Sequence, residues 1–198
     1  MARCVGVILA GGGARRYGGR PKGLEVVDGV RILDRVAAAL RDVCDELLLV
    51  SNDEDAAGWL PGTPMERDVR TGEGALGGLH AALAHAHGDA VLVVAWDMPF
   101  VPAGLLRALR ALGEAGADAA VAESETSGRG VEPLCAWYGP RCLAAIERRL
   151  DAGDRRVVGF FEDVQVARLS AADVAPWGDA RRIFWNVNSP DDLSNAPR

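Results

Sequence analysis

An α/β fold with a mostly parallel, Rossmann-like sheet and helices on both faces, in three layers, is predicted by three features of the sequence. Short apolar runs rich in Val, Ile and Leu (residues 4–9, 47–50 and 90–96) read as buried strands. Stretches with apolar residues at helical spacing separate them, and a strand–loop–helix–strand opening implies a right-handed parallel crossover. The first strand, Cys4-Val5-Gly6-Val7-Ile8-Leu9, then empties into Gly11-Gly12-Gly13. That is the edge at which open α/β sheets bind their ligands.

The stretch after this strand sets the chemistry. Consecutive glycines let bare backbone N–H groups curl around an anion, because no Cβ holds the ligand away. Arg15, Arg16, Arg20 and Lys22 place four cations beside those glycines. Together they suit a polyphosphate. Neither common glycine motif explains the loop. G-x-G-x-x-G would need a glycine at Arg16. In G-x-x-x-x-G-K-[ST], the lysine position is held by Gly19.

The rest of the chain follows in order. Residues 24–27 read as a short strand closed by the Asp28-Gly29 turn. Ile32, Leu33, Val36, Ala37, Leu40 and Val43 mark a helix to about residue 44, and Leu47 to Val50 a strand closed by Ser51-Asn52. Residues 53–64 read as a loop, and 65–68 as a short strand leading to a second glycine cluster, residues 72–78. Leu79, Ala82, Leu83 and Ala86 continue that cluster as a helix. The strongest strand, residues 90–96, ends in Asp97-Met98-Pro99. An ionised carboxylate at the mouth of so apolar a strand is costly unless it is paired or binds a metal. Pro102 opens a helix whose buried stripe is Leu105, Leu106, Leu109 and Leu112. Strands at 119–122 and 132–138 flank a polar loop containing Arg129, and a helix follows at 141–150. Arg155 and Arg156 precede a short helix ending near residue 161, and residues 164–169 alternate as an edge strand would. Near the C-terminus, Asn186-Val187-Asn188-Ser189-Pro190-Asp191-Asp192-Leu193 offers two side-chain carbonyls on alternate residues, then a helix start with acids in its first turn.

Size and composition set further bounds. The 198 residues suit one domain, and 49% apolar with 25% charged residues is ordinary for a globular protein. A net charge of −6 argues against a nucleic-acid binder. The sequence contains no run long enough for a membrane span and no signal peptide, so a cytoplasmic protein is expected. Cys4, Cys44, Cys135 and Cys142 form no C-x-x-C pair, and Cys4 and Cys135 fall in strands where small buried thiols are common. His80, His85 and His87 have no ligand spacing and read as helix-surface residues.

The pattern L-A-G-G-x-x-x-R-x-G-x-x-K, here residues 9 to 22 with an extra glycine, resembles the signature of the nucleotidyltransferases that include the molybdenum cofactor guanylyltransferases (MobA-like proteins). Three later motifs occur in the same order: the second glycine cluster, where Ala75 replaces the proline of G-P-L-x-G, then D-x-P at Asp97, then N-x-N-[TS]-P-x-[DE]-L from Asn186. The resemblance covers nearly the whole chain. It implies a nucleotide-diphospho-sugar transferase-like fold in a single nucleotidyltransferase domain, residues 1–198, with a nucleotide-binding first half and a pterin-facing second half. It also implies transfer of GMP from GTP to molybdopterin with release of pyrophosphate.

On this resemblance Lys22, Arg16 and Asp97 are catalytic. Leu9, Ala10, Gly11, Gly12, Gly13, Lys22, Asn52, Asp68, Gly77 and Asp97 meet the nucleotide. Asp97, with Asn188 opposite it, holds Mg²⁺, with Mn²⁺ as the other suitable ion. Arg129, Arg155, Arg156 and Asn186 face the pterin, the arginines toward its phosphate. The expected partners are GTP and molybdopterin, with no nucleic acid or membrane, a transient contact with molybdenum insertion proteins, and a monomer or weak oligomer. A cytidylyltransferase or a sugar-1-phosphate nucleotidyltransferase is the competing enzyme reading. A nucleotide-binding regulatory module is the non-enzyme one, but it would not need Lys22, Asp97 and Asn188 together.

Overall fold

The computed structural model describes residues 3–11, 21–125 and 127–189 and the single positions 192, 195 and 197. Gly12, Gly13, Arg15, Arg16, Arg20, Pro190 and Asp191 lie outside the described residues.

Seven strands form one sheet in the order β5 (Met65–Glu66), β4 (Glu46–Val50), β1 (Cys4–Leu9), β6 (Ala90–Ala95), β8 (Val131–Tyr138), β7 (Ala119–Glu123) and β9 (Val166–Leu169). Every neighbouring pair is parallel except those made by β8, which runs against both β6 and β7. Helices α1 (Ile32–Arg41) and α3 (Ala103–Glu114) cover one face, and α2 (Gly74–His85) and α4 (Arg141–Asp151) the other. The three-layer, mostly parallel expectation is met. The burial pattern shows why: every residue of β1 and of β6 is buried, since helices cover both faces. Alternate residues serve opposite cores. Cys4 and Ile8 pack toward α1 and α3, whereas Val5, Val7 and Leu9 pack toward α2 and α4.

Topology positions the site. The chain leaves β1 for β4 on one side and later crosses to β6 on the other, so β1 and β6 flank the point where strand order reverses. At such a point the loops after adjacent strands diverge and leave a crevice. Backbone bonds fix its floor: Ala10 N donates to Val50 O at 2.9 Å, and Trp96 N donates to Leu9 O at 3.1 Å.

Local structure follows the sequence with informative exceptions. The first short strand is smaller than expected: residues 22–24 form a 3₁₀ turn, and only Val26–Val27 (β2) pairs, with Val30–Arg31 (β3). Asp28 and Gly29 between them both have positive φ, 49° and 81°, the conformation a two-residue hairpin turn with native twist requires. Helix α2 starts at Gly74 inside the second glycine cluster, five residues before the expected Leu79. Its sequence GALGGLHAALAH is apolar nearly all round and lies between the sheet and α4. For that reason His80 is not a surface residue. It is 3% exposed, with Nε2 3.4 Å from Glu147 Oε1 on α4.

The four cysteines are free thiols, with Cys4 and Cys135 buried in β1 and β8 as expected. Among the described residues no helix is long and apolar enough to cross a membrane.

Candidate active site

A cleft of about 480 Å³ opens at the crevice, lined by Leu9, Ala10 and Gly11 from the end of β1, by Asn52 and Asp68 beyond β4 and β5, and by Asp97 beyond β6. Asn186 from the C-terminal segment closes it on another side. A Cβ at Gly11 would meet no atom of the described residues within 4 Å, and Gly11 lines the cleft.

Lys22 and Asp97 meet at the mouth of this cleft. The Lys22 ammonium donates to Asp97 Oδ2 in an ion pair and to Asn188 Oδ1 at 3.2 Å. The two charged side chains are only 14% and 13% exposed. Packing brings them together from positions 75 residues apart. Gly23, next to Lys22, lies flat on the indole of Trp96, next to Asp97; a Cβ there would stand 2.4 Å from Trp96 Cε3. Trp96 in turn stacks on Trp59, with ring centroids 5.1 Å apart. The loop carrying the lysine is therefore keyed to the strand end carrying the aspartate.

The asparagine segment docks on the same carboxylate residue. Val187 N donates to Asp97 O at 2.9 Å, and the Val187 side chain is fully buried. Alternation then turns Asn186 and Asn188 outward on either side of it. Asp192 Oδ2 accepts from Asn188 N at 2.7 Å and from Ser189 N at 2.9 Å, while Ser189 Oγ accepts from Asp192 N at 3.3 Å, a capping-box pattern. Asp192 thus holds the backbone that carries Asn188.

One atom in this cluster lacks a partner. Asp97 Oδ1 is buried and has no hydrogen bond among the described residues. A buried carboxylate oxygen left empty costs free energy unless a cation or donor fills it. Among the described residues no three His, Cys, Asp or Glu side chains gather into a metal cage. A hard divalent cation that takes one carboxylate and completes its shell with phosphate and water oxygens suits this donor set; zinc does not.

On the far wall Asn52 Nδ2 donates to Asp68 Oδ2 at 2.7 Å, and Asp68 N donates to Asn52 Oδ1 at 3.0 Å. This reciprocal pair fixes both side chains at the tips of β4 and β5. Gly77, expected at the nucleotide, is absent from the lining: its added Cβ would meet Glu73 Cβ at 2.8 Å and Arg70 O at 3.2 Å. Gly78 lines the cleft in its place.

The second-half arginines are less concentrated than the sequence suggested. Arg155 Nε donates to Glu73 Oε2 at 2.5 Å, which pulls the Glu73 carboxyl below its usual range. Arg156 binds Asp154 through Nε at 3.0 Å and a terminal nitrogen at 2.8 Å, holding that carboxyl at about 2. Arg129 is exposed on the β7–β8 connection. None of the three lines the cleft. Sequence reasoning missed Ser51, Leu134 and Trp96 as lining residues. The available signal was their place at the active edge of strands, which periodicity alone does not mark.

Comparison with known proteins bears on this arrangement. Residues 6–168 match the family model described as MobA-like NTP transferase domain. A protein of Desulfosudis oleivorans named molybdenum cofactor guanylyltransferase is 32% identical over 99% of this chain and 95% of its own. One of that name from Cereibacter sphaeroides is 34% identical over 98% of this chain and 95% of its own. Among solved structures, molybdopterin-guanine dinucleotide biosynthesis protein A from Archaeoglobus fulgidus superposes with a TM-score of 0.78 at 29% identity, covering 97% of this chain and 96% of that one.

Proposed function

We propose, from the premise that this chain belongs to the MobA-like NTP transferase family, that it transfers GMP from GTP to molybdopterin and releases pyrophosphate. The observation that carries this reading is the Lys22–Asp97–Asn188 cluster at the mouth of a nucleotide-sized cleft, with a buried carboxylate oxygen that has no partner among the described residues.

The acceptor's terminal phosphate oxygen forms a bond to the α-phosphorus as the bond from that phosphorus to the bridging β-oxygen breaks, and pyrophosphate leaves with the electron pair. Such a reaction needs alignment and charge neutralisation more than proton transfer. The Gly11 backbone at the cleft wall meets the phosphates, and the sequence motif assigns Gly12, Gly13 and Arg16 to the same phosphates. Lys22 leaves Asp97 for the phosphates and balances the charge on the departing pyrophosphate. Asp97, with Asn188 opposite it, holds the divalent cation, Mg²⁺ or Mn²⁺, which when bound neutralises phosphate charge. Asp68, fixed by Asn52, accepts from the N1–H and 2-amino donors of guanine, an edge that cytosine does not have. Asn186, Arg129, Arg155 and Arg156 serve the pterin side, where bidentate guanidinium groups suit a phosphate. On this reading the chain is a single domain, residues 1–198, acting in the cytosol as a monomer or weak oligomer.

The test is pyrophosphate release from GTP, CTP and ATP, each with molybdopterin. Release confined to GTP is expected. Release from CTP instead reassigns the base, and nucleotide binding without release from any of the three refutes the enzyme reading.

A further inference from the structure

Arg155 and Arg156 are consecutive, yet the fold uses them differently. Helix α4 starts beyond the end of β8, which runs antiparallel to β6, so it begins at the sheet edge away from Asp97. Its 11 residues carry the chain back to the edge where the cleft opens. There the helix ends in a tight cap. Gly153 has a φ of 75°, its N donates to Leu150 O at 2.9 Å, and Asp154 N donates to Arg149 O at 2.9 Å. These two bonds fix the direction in which the next residues leave the helix. Arg156 then folds back on Asp154, which accepts from its backbone N, its Nε and one terminal nitrogen. Its guanidinium is engaged within its own turn. Arg155 instead reaches α2.

Glu73 stands between Gly72 and Gly74, both of which line the cleft. It occupies the position before α2 where a side-chain oxygen could cap the helix, but it makes no cap hydrogen bond. Its Oε2 accepts from Arg155 Nε at 2.5 Å. A second ion pair braces the same two segments: Arg70 donates to Oδ1 of Asp151, the last residue of α4, at 2.6 Å. The Glu73 side chain is 21% exposed and that of Arg155 62%. The two terminal nitrogens of Arg155 donate no hydrogen bond among the described residues. A guanidinium held through Nε keeps the edge made by its terminal nitrogens for a bidentate oxyanion. An uncompensated carboxylate beside a polyphosphate would also repel it, and the arginine supplies the compensating charge.

We propose that Glu73 is a positioning residue for the acceptor: by holding Arg155 through Nε it presents the two terminal nitrogens, at the rim of the nucleotide cleft, to the acceptor's phosphomonoester. This inference rests on the reading of the chain as a transferase with a phosphorylated pterin acceptor. Of the consecutive pair, Arg155 is the one with a free edge for that phosphate. An arginine already ordered loses less side-chain freedom when the phosphate arrives.

The test uses the full chain with Glu73→Ala, Glu73→Gln, Arg155→Ala and the double variant Glu73→Ala with Arg155→Ala. Three quantities are measured: kcat and KM for molybdopterin at saturating GTP, molybdopterin binding without nucleotide by pterin fluorescence, and GTP affinity by calorimetry. Arg155→Ala should weaken acceptor binding about 10- to 100-fold, the loss of one charge-assisted contact. Glu73→Ala should raise the acceptor KM about 3- to 10-fold with kcat within about twofold, because the released arginine must be ordered on binding. Glu73→Gln keeps an oxygen that can accept from Nε and should bring the KM back to within about twofold of wild type. The double variant should be no worse than Arg155→Ala, because the glutamate acts through the arginine. Unchanged acceptor affinity in Glu73→Ala overturns the proposal, as does a glutamine that restores nothing or losses that multiply in the double variant. GTP affinity falling in step with that for the acceptor also overturns it, since the arginine would then serve the nucleotide. If the wild type binds molybdopterin yet releases no pyrophosphate, the transfer reading fails while the fluorescence comparison still decides the role of Glu73. If it binds no molybdopterin, both fail.

Discussion

Lys22→Ala removes the counter-ion of a carboxylate that is almost out of water, and its consequences for stability and for turnover separate. The two side chains are 13–14% exposed. At roughly 4 Å and an effective dielectric near 20 the pair attraction is about 4 kcal/mol before desolvation is subtracted. Removing one partner of a fully buried pair typically costs about 3–5 kcal/mol. The open cleft lets water relax the stranded Asp97, so a loss of about 1–3 kcal/mol in unfolding free energy is expected. In the proposed reaction Lys22 also meets the phosphates, so the expected loss in catalytic efficiency is larger: about 2–5 kcal/mol, or roughly 30- to 4,000-fold in kcat/KM. The informative control is Lys22→Ala with Asp97→Asn. Neutralising the stranded charge should return most of the lost stability, measured by urea unfolding, and none of the lost turnover, measured by pyrophosphate release. Full turnover in Lys22→Ala would refute the role assigned to the lysine. Failure of the second substitution to restore stability would refute the stranded-charge account.

Gly23→Ala places a methyl 2.4 Å from Trp96 Cε3, and Trp96 cannot retreat because Trp59 stacks behind it. Overpacking of this kind costs about 1–3 kcal/mol and should appear as a lower Tm together with reduced kcat, since the Lys22 turn is displaced. Asn188→Ala, leaving the Lys22–Asp97 pair intact, should raise the metal concentration needed for half-maximal turnover while changing the Tm by no more than about 3 °C. For Glu132 the sign of the pH effect is fixed by its raised pKa. The unfolded carboxyl ionises near pH 4.3 and the folded one at higher pH, so stability is lost as pH rises between the two values. Glu132→Gln should therefore have a higher Tm than wild type at pH 7–8 and match it below about pH 4, as calorimetry at each pH would show.

The sheet was legible because its strands are unbroken apolar runs, and β1, β4 and β6 lie close to where those runs occur. Helices α1 and α3 were equally plain, since each carries one apolar stripe. Helix α2 was not, because glycines conceal its first turn and an apolar surface on nearly all sides conceals its period. His80 was misread for the same reason: a helix packed on two sides has no reliable solvent face. In the site, Lys22, Asp97 and Asn188 were legible as motif residues on a strand exit, a strand end and an extended segment. Their mutual contact was not, because it depends on Gly23 fitting Trp96 and on Val187 docking beneath Asp97. The partners of Arg155 and Arg156 were equally hidden; an arginine written near a site says nothing of the carboxylate that holds it.

In the proposed reaction the ion pair at the cleft mouth is a resting state that GTP and its metal divide between them. A crystal structure with a non-hydrolysable GTP analogue and Mn²⁺, phased to reveal the metal by its anomalous signal, tests this directly. Manganese bonded to Asp97 Oδ1 and the Lys22 ammonium moved onto phosphate oxygens are the expected result. Nucleotide bound with the Lys22–Asp97 pair unbroken and the metal elsewhere would contradict it.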